Sequence, residues 1–328
     1  MRSLAELTTL RVGGTPNSLV VATSESEIIE AVSANPNALI LGGGSNVLVS
    51  DNFHGDVIKI ESQGFENDES ACAGAWVTVA AGHNWNDFVA TAVANGWTGI
   101  EGLAGIPGTV GATPIQNVGA YGQSVSETIA QVRAWNRKTK SVDTIFAADC
   151  EFGYRTSVFK AKPDTWVILS VTFQLPLGTM SAPIAYNELA AKLKVELGDR
   201  VSTSDLQTAV LELRAGKGMV LDSTDHDTWS VGSFFMNPRV TTAPENAPHW
   251  PETDGTVKVS AAWLIEQAGL NKGFTLNGRA ALSGKHTLAI TNRGDATSAD
   301  ISELADHIVA GVKAKFDIEL KPEATFIN

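Results

Sequence analysis

A glycine-rich stretch between Gly99 and Gly122 constrains this chain more than any other segment. Seven of its residues are glycine and two are proline, so neither a helix nor a strand can continue through it. Apolar side chains recur within it, among them Leu103, Ile106 and Val110, which a flexible linker would lack. We therefore predict an ordered loop whose backbone lies against a flat or phosphorylated ligand. A tightly packed run of turns in a large core is the alternative.

A second glycine turn follows a short apolar strand. Residues 38–41 are predicted as a buried strand that leads directly into three glycines, Ser45 and Asn46. A P-loop would continue with Lys-Ser/Thr and a dinucleotide fold with a helix, whereas the apolar residues 47–49 predict another strand. The segment is thus a candidate phosphate cradle between two strands. A glycine-rich hairpin without a ligand is the alternative.

The remaining periodicity predicts an α+β protein. Ser24, Asn84, Ser202 and Ser260 are typical helix N-caps, and a long amphipathic helix is predicted over 299–316. Alternating or apolar runs predict strands at 18–22, 56–60, 75–81, 129–135, 141–146, 165–175 and 286–291. We expect the strands between 129 and 175 to form an antiparallel sheet, and residues 1–178 to form one module in which the two glycine turns meet.

Net charge and cysteine content exclude several classes of protein. A net charge of −12 argues against a general nucleic-acid binder, because no basic surplus is present to neutralise phosphates. Two cysteines, Cys72 and Cys150, indicate a reducing compartment, and the absence of a long apolar run predicts a soluble, cytoplasmic protein that does not insert into membranes. No metal site is predicted, because the cluster Asp222, Asp225, His226 and Asp227 is typical of a solvated loop.

Three separate segments carry side chains suited to chemistry. Arg155 follows Phe-Gly-Tyr and could grip a carboxylate in a bidentate manner, Ser233 follows a glycine beside two phenylalanines, and Glu323 lies in the closing turn. Each also has an ordinary interpretation as a surface salt bridge, a turn serine or a C-terminal acid. Arg214 and Lys217 likewise suit the end of a helix, where cations are favoured. Ser157-Val-Phe-Lys160 matches an acyl-enzyme motif but lacks its companion motifs, so we interpret it as a chance match.

Five motifs, in order and spacing, closely resemble the UDP-N-acetylenolpyruvoylglucosamine reductase family, also called UDP-N-acetylmuramate dehydrogenases. They are GGGSN (42–46), IPGTVGATPIQNVGAYG (106–122), GYRTSVFK (153–160), GSFFMNP (232–238) and KPEATFI (321–327). The resemblance runs from Leu10 to the C-terminus and is specific as a set. The segment 241–256, which is rich in proline, resembles nothing in it.

The resemblance implies a two-lobed FAD-binding domain of the vanillyl-alcohol-oxidase type, followed by a smaller α+β substrate-binding domain. The implied boundaries are 1–62 and 63–178 for the two lobes, 179–214 for a helical insertion that closes over substrate, 215–322 for the C-terminal domain and 323–328 for a tail that returns to the active site. The implied non-covalent FAD contacts are Gly42, Gly43, Gly44, Ser45, Asn46, Ile106, Pro107, Gly108, Gln116, Asn117, Gly119, Ala120, Tyr121 and Gly122.

The implied reaction reduces the enolpyruvyl group of UDP-N-acetylglucosamine enolpyruvate, with NADPH as co-substrate, for peptidoglycan synthesis. Arg155, Ser233 and Glu323 occupy the family's catalytic positions, with Ser233 as the proton donor and the other two stabilising charge at the carboxylate. Tyr154, Tyr186, Lys217 and Asn237 are the implied substrate contacts, Tyr186 and Lys217 belonging to the subgroup that retains the insertion. We expect a monomer.

Two other functions remain open at this point. A sugar or alcohol oxidase on the same scaffold could tether FAD covalently, and His54 is the nearest candidate for such a link. A non-catalytic nucleotide-binding protein could also have kept the fold.

Overall fold

Capping side chains and apolar periodicity set the positions of the helices. A computed structural model describes residues 2–328. Within this range the α-helices are α1 (Glu25–Ala34), α2 (Trp85–Ala94), α3 (Val158–Ala161), α4 (Asn187–Leu193), α5 (Thr203–Gly216), α6 (Ala261–Gln267) and α7 (Ser298–Phe316).

The predicted N-caps are confirmed. The side chains of Ser24, Asn84 and Ser260 accept hydrogen bonds from backbone amides in the first turns of α1, α2 and α6, and Ser202 caps α5 through the amide of Asp205. Each such bond satisfies one of the amides that a helix start leaves without an intrahelical acceptor.

The strands are short except in one sheet. In chain order they are β1 (Ser18–Ala22), β2 (Leu39–Leu41), β3 (Val47–Val49), β4 (Asp56–Ile60), β5 (Phe65–Ser70), β6 (Gly74–Ala80), β7 (Gly119–Ala120), β8 (Gln123–Ser124), β9 (Ile129–Asn136), β10 (Ser141–Phe146), β11 (Trp166–Leu175), β12 (Arg239–Val240), β13 (His249–Pro251), β14 (Val257–Val259), β15 (Ala280–Leu282), β16 (Ile290–Asn292) and β17 (Thr325–Ile327).

The chain divides into two compact units. The first unit contains residues 17–43 and 55–215. It has a parallel sheet in the order β1-β4-β2 and a five-stranded antiparallel sheet in the order β10-β9-β11-β6-β5. The antiparallel pairing predicted for β9, β10 and β11 is confirmed. Trp85, Phe88 and Phe173 are buried at the centre of its core, within 6.0 Å of one another by ring centroid.

The second unit contains the residues up to Pro16, residues 44–54 and residues 216–328. Its strands β3 and β17 pair in parallel, β15 pairs with β16, and β12, β14 and β13 form a small antiparallel sheet. Apolar residues of α6 and α7, among them Leu264 and Ile308, are buried in its core together with Phe234. The α+β class predicted from the sequence is confirmed in both units.

One alternative and one predicted strand boundary are wrong. The strands on either side of the Gly42–Asn46 turn do not form a hairpin, because β2 pairs with β4 whereas β3 pairs with β17. The strand predicted at 286–291 begins only at Ile290, because Ser283 accepts hydrogen bonds from the amides of Lys285 and His286 and so forms a turn.

Among residues 2–328, no helix combines the length and the apolar character needed to cross a membrane.

Candidate active site

The two glycine-rich turns contact each other within the first unit. A Cβ added to Gly43 would lie 2.5 Å from the Cα of Gly108, and one added to Gly42 would lie 2.7 Å from the Oγ1 of Thr109. Neither position has room for a side chain, because Gly43 lies against the backbone of Gly108 and Gly42 lies against the side chain of Thr109. This confirms that the turns meet, and it explains why glycine is required at both positions.

Backbone hydrogen bonds fix the middle of the glycine-rich stretch 99–122, called the long loop from here on, beside α2. The amide of Trp85 donates to the carbonyl of Gly108 at 3.1 Å, and the amides of Val110 and Gly111 donate to His83 and Ala81 at 2.9 and 2.8 Å. These bonds hold the loop at the end of β6, where α2 begins. Ile106, Pro107, Gly108 and Gln116 remain half-buried, as a segment that lies along a ligand must.

Lys59 is a candidate phosphate-binding residue that was not predicted from the sequence. It lies on β4, between β1 and β2, and its ammonium donates to the carbonyl of Gly42 at 2.5 Å. A cation at the glycine turn suits a pyrophosphate. The available signal was a lysine between two isoleucines in the predicted strand 56–60.

The last part of the long loop is a tight hairpin. Strands β7 and β8 are joined by Tyr121 and Gly122, whose φ angles are both positive, at 50° and 86°. Positive φ at both central residues is typical of a type I′ turn, in which the first position favours asparagine or glycine over tyrosine. The ring of Tyr121 lies edge-on to the ring of Tyr186, with centroids 6.2 Å apart. The hairpin therefore brings two of the predicted ligand contacts together.

Arg155 lies at the tip of a turn and is held at its guanidinium. Gly153 and Thr156 exchange backbone hydrogen bonds of 3.1 and 3.3 Å, and Arg155 between them has a φ of 55°, in the left-handed region. Its Nη2 donates to the carbonyl of Gly119 at 3.0 Å, and its guanidinium lies 5.5 Å from the ring centroid of Tyr154. The side chain is thus fixed against the hairpin in a backbone conformation that a non-glycine residue rarely adopts.

A buried cation lies near the same hairpin. Arg214, in the last turn of α5, is 9% exposed, and burial lowers its pKa to about 10. Burial also raises the pKa of Tyr121, and the positive charge of Arg214 opposes that rise. At neutral pH Arg214 is therefore charged and Tyr121 is neutral. Arg214 does lie at the end of a helix, as the sequence analysis noted, but that position alone does not explain why its side chain is buried.

In the second unit, backbone hydrogen bonds pair the segments that carry Ser233 and Glu323. The amide of Glu323 donates to the carbonyl of Phe234 at 2.8 Å, and the amide of Met236 donates to the carbonyl of Lys321 at 3.0 Å. These bonds pair the segment that carries Ser233 with the segment that carries Glu323, although ninety residues of sequence separate them. Gly232, with a φ of 75°, allows the chain to turn immediately before Ser233.

The second half of the 42–46 glycine turn contacts the segment of Glu323 in the same unit. A Cβ on Gly44 would lie 2.2 Å from the carbonyl oxygen of Leu7, so this turn is also closely packed. Asn46 donates through Nδ2 to the carbonyl of Glu323 at 3.4 Å and accepts at its own carbonyl from Thr325 at 3.0 Å. Ser45 is half-buried between these residues.

Asn237 and Lys217 also belong to the second unit. The Oδ1 of Asn237 accepts a hydrogen bond from the amide of Ala261 at 2.9 Å, which caps the start of α6. Lys217 follows the last residue of α5 directly and is half-buried. The first unit thus gathers Arg155, Tyr154, Tyr186 and the long loop, and the second gathers Ser233, Glu323, Asn237, Lys217 and the end of the 42–46 glycine turn.

Several other sequence motifs have structural roles. The hydroxyl of Ser157 accepts from the amides of Phe159 and Lys160 and donates to the carbonyl of Ile115, which makes it the cap of α3. In the acidic cluster, Lys285 pairs with Asp225 and Arg293 pairs with Asp227. His54, the residue considered for a covalent flavin link, is exposed.

Family models match most of both units. A model described as FAD binding domain matches residues 16–144, and one described as UDP-N-acetylenolpyruvoylglucosamine reductase, C-terminal domain, matches residues 223–327. The UDP-N-acetylenolpyruvoylglucosamine reductases of Cutibacterium acnes and Salinispora arenicola are 52% and 48% identical to this chain. Both alignments cover 99% of it, and 89% and 94% of those relatives.

A solved structure shares the fold. The crystal structure of the UDP-N-acetylenolpyruvylglucosamine reductase of Thermus caldophilus aligns with a TM-score of 0.69 and 24% identity, covering 100% of this chain and 98% of that one. The predicted FAD-binding domain followed by an α+β domain is confirmed by this likeness and by the family models. The chain belongs to the UDP-N-acetylenolpyruvoylglucosamine reductase family.

Proposed function

We propose that this protein is an NADPH-dependent flavoenzyme that reduces the enolpyruvyl ether of UDP-N-acetylglucosamine enolpyruvate to the lactyl ether. Membership of the family supports the reaction, and the match of a FAD-binding domain to residues 16–144 supports the cofactor. The observation that carries the residue assignment is the backbone pairing that brings the segment of Ser233 beside the segment of Glu323. Both segments belong to the second unit.

The glycine turns are suited to hold the pyrophosphate of FAD. Gly42 and Gly43 lie against Thr109 and Gly108 of the long loop, where no Cβ fits, and Lys59 adds a positive charge at the turn. Ser45 and Asn46 follow in the same turn. We assign the flavin side to the half-buried loop residues Ile106, Pro107, Gly108, Gln116, Asn117, Gly119, Ala120 and Tyr121, together with the exposed Gly122.

When bound, FAD supplies the hydride chemistry, and the chain supplies orientation, charge and a proton. Arg155 presents a permanent positive fork, fixed on the carbonyl of Gly119, for the substrate carboxylate. Glu323, when protonated, donates a hydrogen bond to the same carboxylate as negative charge develops on it. Ser233 delivers the proton to C2 of the enolpyruvyl group, since a positioned hydroxyl suffices as an acid toward a carbanion-like centre.

The remaining assignments concern the substrate and the domains. Tyr154, Tyr186, Lys217 and Asn237 are proposed contacts to the substrate. The insertion 179–214 is proposed to close over it, as in the subgroup that retains such a tyrosine. We also propose the lobe boundaries 1–62 and 63–178, the substrate domain 215–322, the returning tail 323–328, a monomeric state and a cytoplasmic location, the last consistent with two free cysteines.

The test separates the two half-reactions of the loaded enzyme. Ser233→Ala should still allow NADPH to bleach the flavin at a rate close to that of the parent protein. Reoxidation by the enolpyruvyl substrate should slow by about 100-fold or more, the range typical of a lost general acid. Ser260→Ala, which removes a capping hydroxyl in the same unit, is the matched control. A Ser233→Ala enzyme whose flavin is reoxidised at the parent rate would refute this role.

A further inference from the structure

The side chain of Asn117 joins the Tyr121 hairpin to the Arg155 turn. Its Nδ2 donates to the carbonyl of Gly153 at 3.1 Å, and its Oδ1 accepts from the amide of Ser126 at 3.2 Å. One partner can only accept and the other can only donate, so the orientation of the amide is fixed. Both polar ends of the side chain are therefore occupied within the protein.

The bond to Gly153 acts on the base of the turn that displays Arg155. The carbonyl of Gly153 accepts from the amide of Thr156 as well as from Asn117, and it closes the two-residue turn. Arg155 has a φ of 55° within that turn, and Asn117 itself has a φ of 48°. A non-glycine residue keeps such a conformation only where the surroundings impose it.

The guanidinium of Arg155 is tied to the same hairpin. Its Nη2 donates to the carbonyl of Gly119, and a Cβ on Gly119 would lie 3.5 Å from its Nη1. The hairpin thus holds Arg155 at two points, at the turn base through Asn117 and at the charged end through Gly119. Removing the Asn117 bond would release the turn base while the charged end stays on the carbonyl of Gly119.

We propose that Asn117 is a positioning residue, whose side-chain amide holds the turn at Gly153 so that the Arg155 guanidinium meets the substrate carboxylate. This inference rests on the function proposed for Arg155. It gives the Asn117 side chain a role other than contact with the cofactor, while its backbone remains part of the flavin loop.

The test uses Asn117→Gly in the full, FAD-loaded chain, because glycine accepts the left-handed backbone and removes both side-chain bonds. Because Asn117 also lies in the flavin loop, flavin reduction by NADPH in the same variant is the internal reference. Reoxidation by the enolpyruvyl substrate should slow by about 10- to 100-fold more than that step, the effect expected of a catalytic group misplaced by about 1 Å. Asn117→Asp keeps the acceptor for Ser126 but cannot donate to Gly153 when ionised. It should likewise slow reoxidation more than flavin reduction, and it replaces the glycine variant if that variant folds poorly.

Asn136→Ala is the matched control. The Asn136 amide also holds a turn of the first unit, through the amides of Lys138 and Thr139, at 3.0 and 3.2 Å. This turn does not carry Arg155. Its loss should reduce stability without separating the two half-reactions.

Two further measurements decide between positioning and a direct role. On an Arg155→Ala background, Asn117→Gly should slow reoxidation by less than about threefold, because no guanidinium is left to position. In the protein without substrate, exchange of the Thr156 amide hydrogen should accelerate at least about tenfold in Asn117→Gly but not in Asn136→Ala.

The outcomes distinguish a failure of the role proposed for Asn117 from a failure of the proposed function. Equal slowing of both half-reactions, an additive double variant or unchanged exchange at Thr156 would each overturn the role of Asn117. A parent enzyme whose reduced flavin is not reoxidised by the enolpyruvyl substrate would instead overturn the proposed function. Exchange of the Thr156 amide hydrogen would still test whether the bond from Asn117 to Gly153 holds the turn.

Discussion

Replacing Gly43 by alanine tests whether the contact between the glycine turns forms the FAD cradle. The added Cβ would lie 2.5 Å from the Cα and 3.1 Å from the carbonyl carbon of Gly108, both of which are backbone atoms. To reach 3.4 Å, where ordinary contacts begin, the two turns must separate by about 0.9 Å. The φ of Gly43 is not in the left-handed region, so the substitution isolates packing from backbone strain.

The magnitude follows from what such a separation does to a bound pyrophosphate. Hydrogen bonds from backbone amides to a charged oxygen contribute about 1.5–3 kcal/mol each. Losing one of them weakens binding by about 1.5–3 kcal/mol, which corresponds to roughly 10- to 150-fold in Kd. Overpacking should in addition destabilise the unit without FAD by about 1–3 kcal/mol.

The assay is a titration of the FAD-free protein with FAD, followed by quenching of flavin fluorescence, together with thermal unfolding. Gly178→Ala is the control, because its added Cβ would meet only the Cγ2 of Thr98, at 3.7 Å. It should bind FAD as the parent does. A Gly43→Ala protein that binds FAD with the parent affinity would refute the cradle at this turn, whatever its stability.

Four further predictions follow from single groups. Burial would raise the pKa of Asp300, but hydrogen bonds from Thr297, Arg279 and Asn277 outweigh it and lower the pKa to about 2. Because this value is below that of an unfolded Asp, near ~3.9, the stabilisation is present above pH 4 and is lost as the pH falls from about 4 to 2. Asp300→Asn should therefore cost about 2 kcal/mol of unfolding free energy at pH 7, and urea unfolding at the parent midpoint would contradict this. Burial raises the pKa of Cys150 to about 12, so a thiol reagent should label exposed Cys72 alone in the native protein; rapid labelling of both would be inconsistent with the core. Tyr186→Phe should raise the KM for the UDP-sugar while NADPH still reduces the flavin at the parent rate, and an unchanged KM would remove Tyr186 from the site. Denaturation should release all FAD, whereas flavin that stays with the polypeptide would support the covalent oxidase alternative.

Local signals predicted most of the elements that carry their own caps or alternation. Helices α1, α2, α6 and α7 and strands β6, β9 and β11 all lie within a few residues of the predicted positions. Strand β5 was missed because its six residues, FENDES, are all exposed and mostly polar at a sheet edge, so no apolar pattern marks it. The small sheet of β12, β13 and β14 was missed for a similar reason, since most of it is not buried.

The candidate site was predictable only as a set of separate motifs. No local rule relates Ser233 to Glu323, because backbone bonds between distant segments bring them together. The left-handed conformation of Arg155 was also invisible, since a sequence marks such positions only where glycine or asparagine occupies them. The resemblance to a family supplied the candidate residues, and the structure supplied the contacts of Asn117 and Lys59.

The pairing of β3 with β17 has a consequence for biosynthesis. Val47 has no pairing partner until translation has advanced from position 47 to Thr325. At about 5–20 residues per second, the interval is about 14–56 s. During that time the backbone of β3 lacks its neighbour, and an exposed strand edge of this kind invites pairing with other nascent chains. We therefore expect folding yield in the cell to depend on chaperones that bind early in translation, and to fall when elongation is slowed.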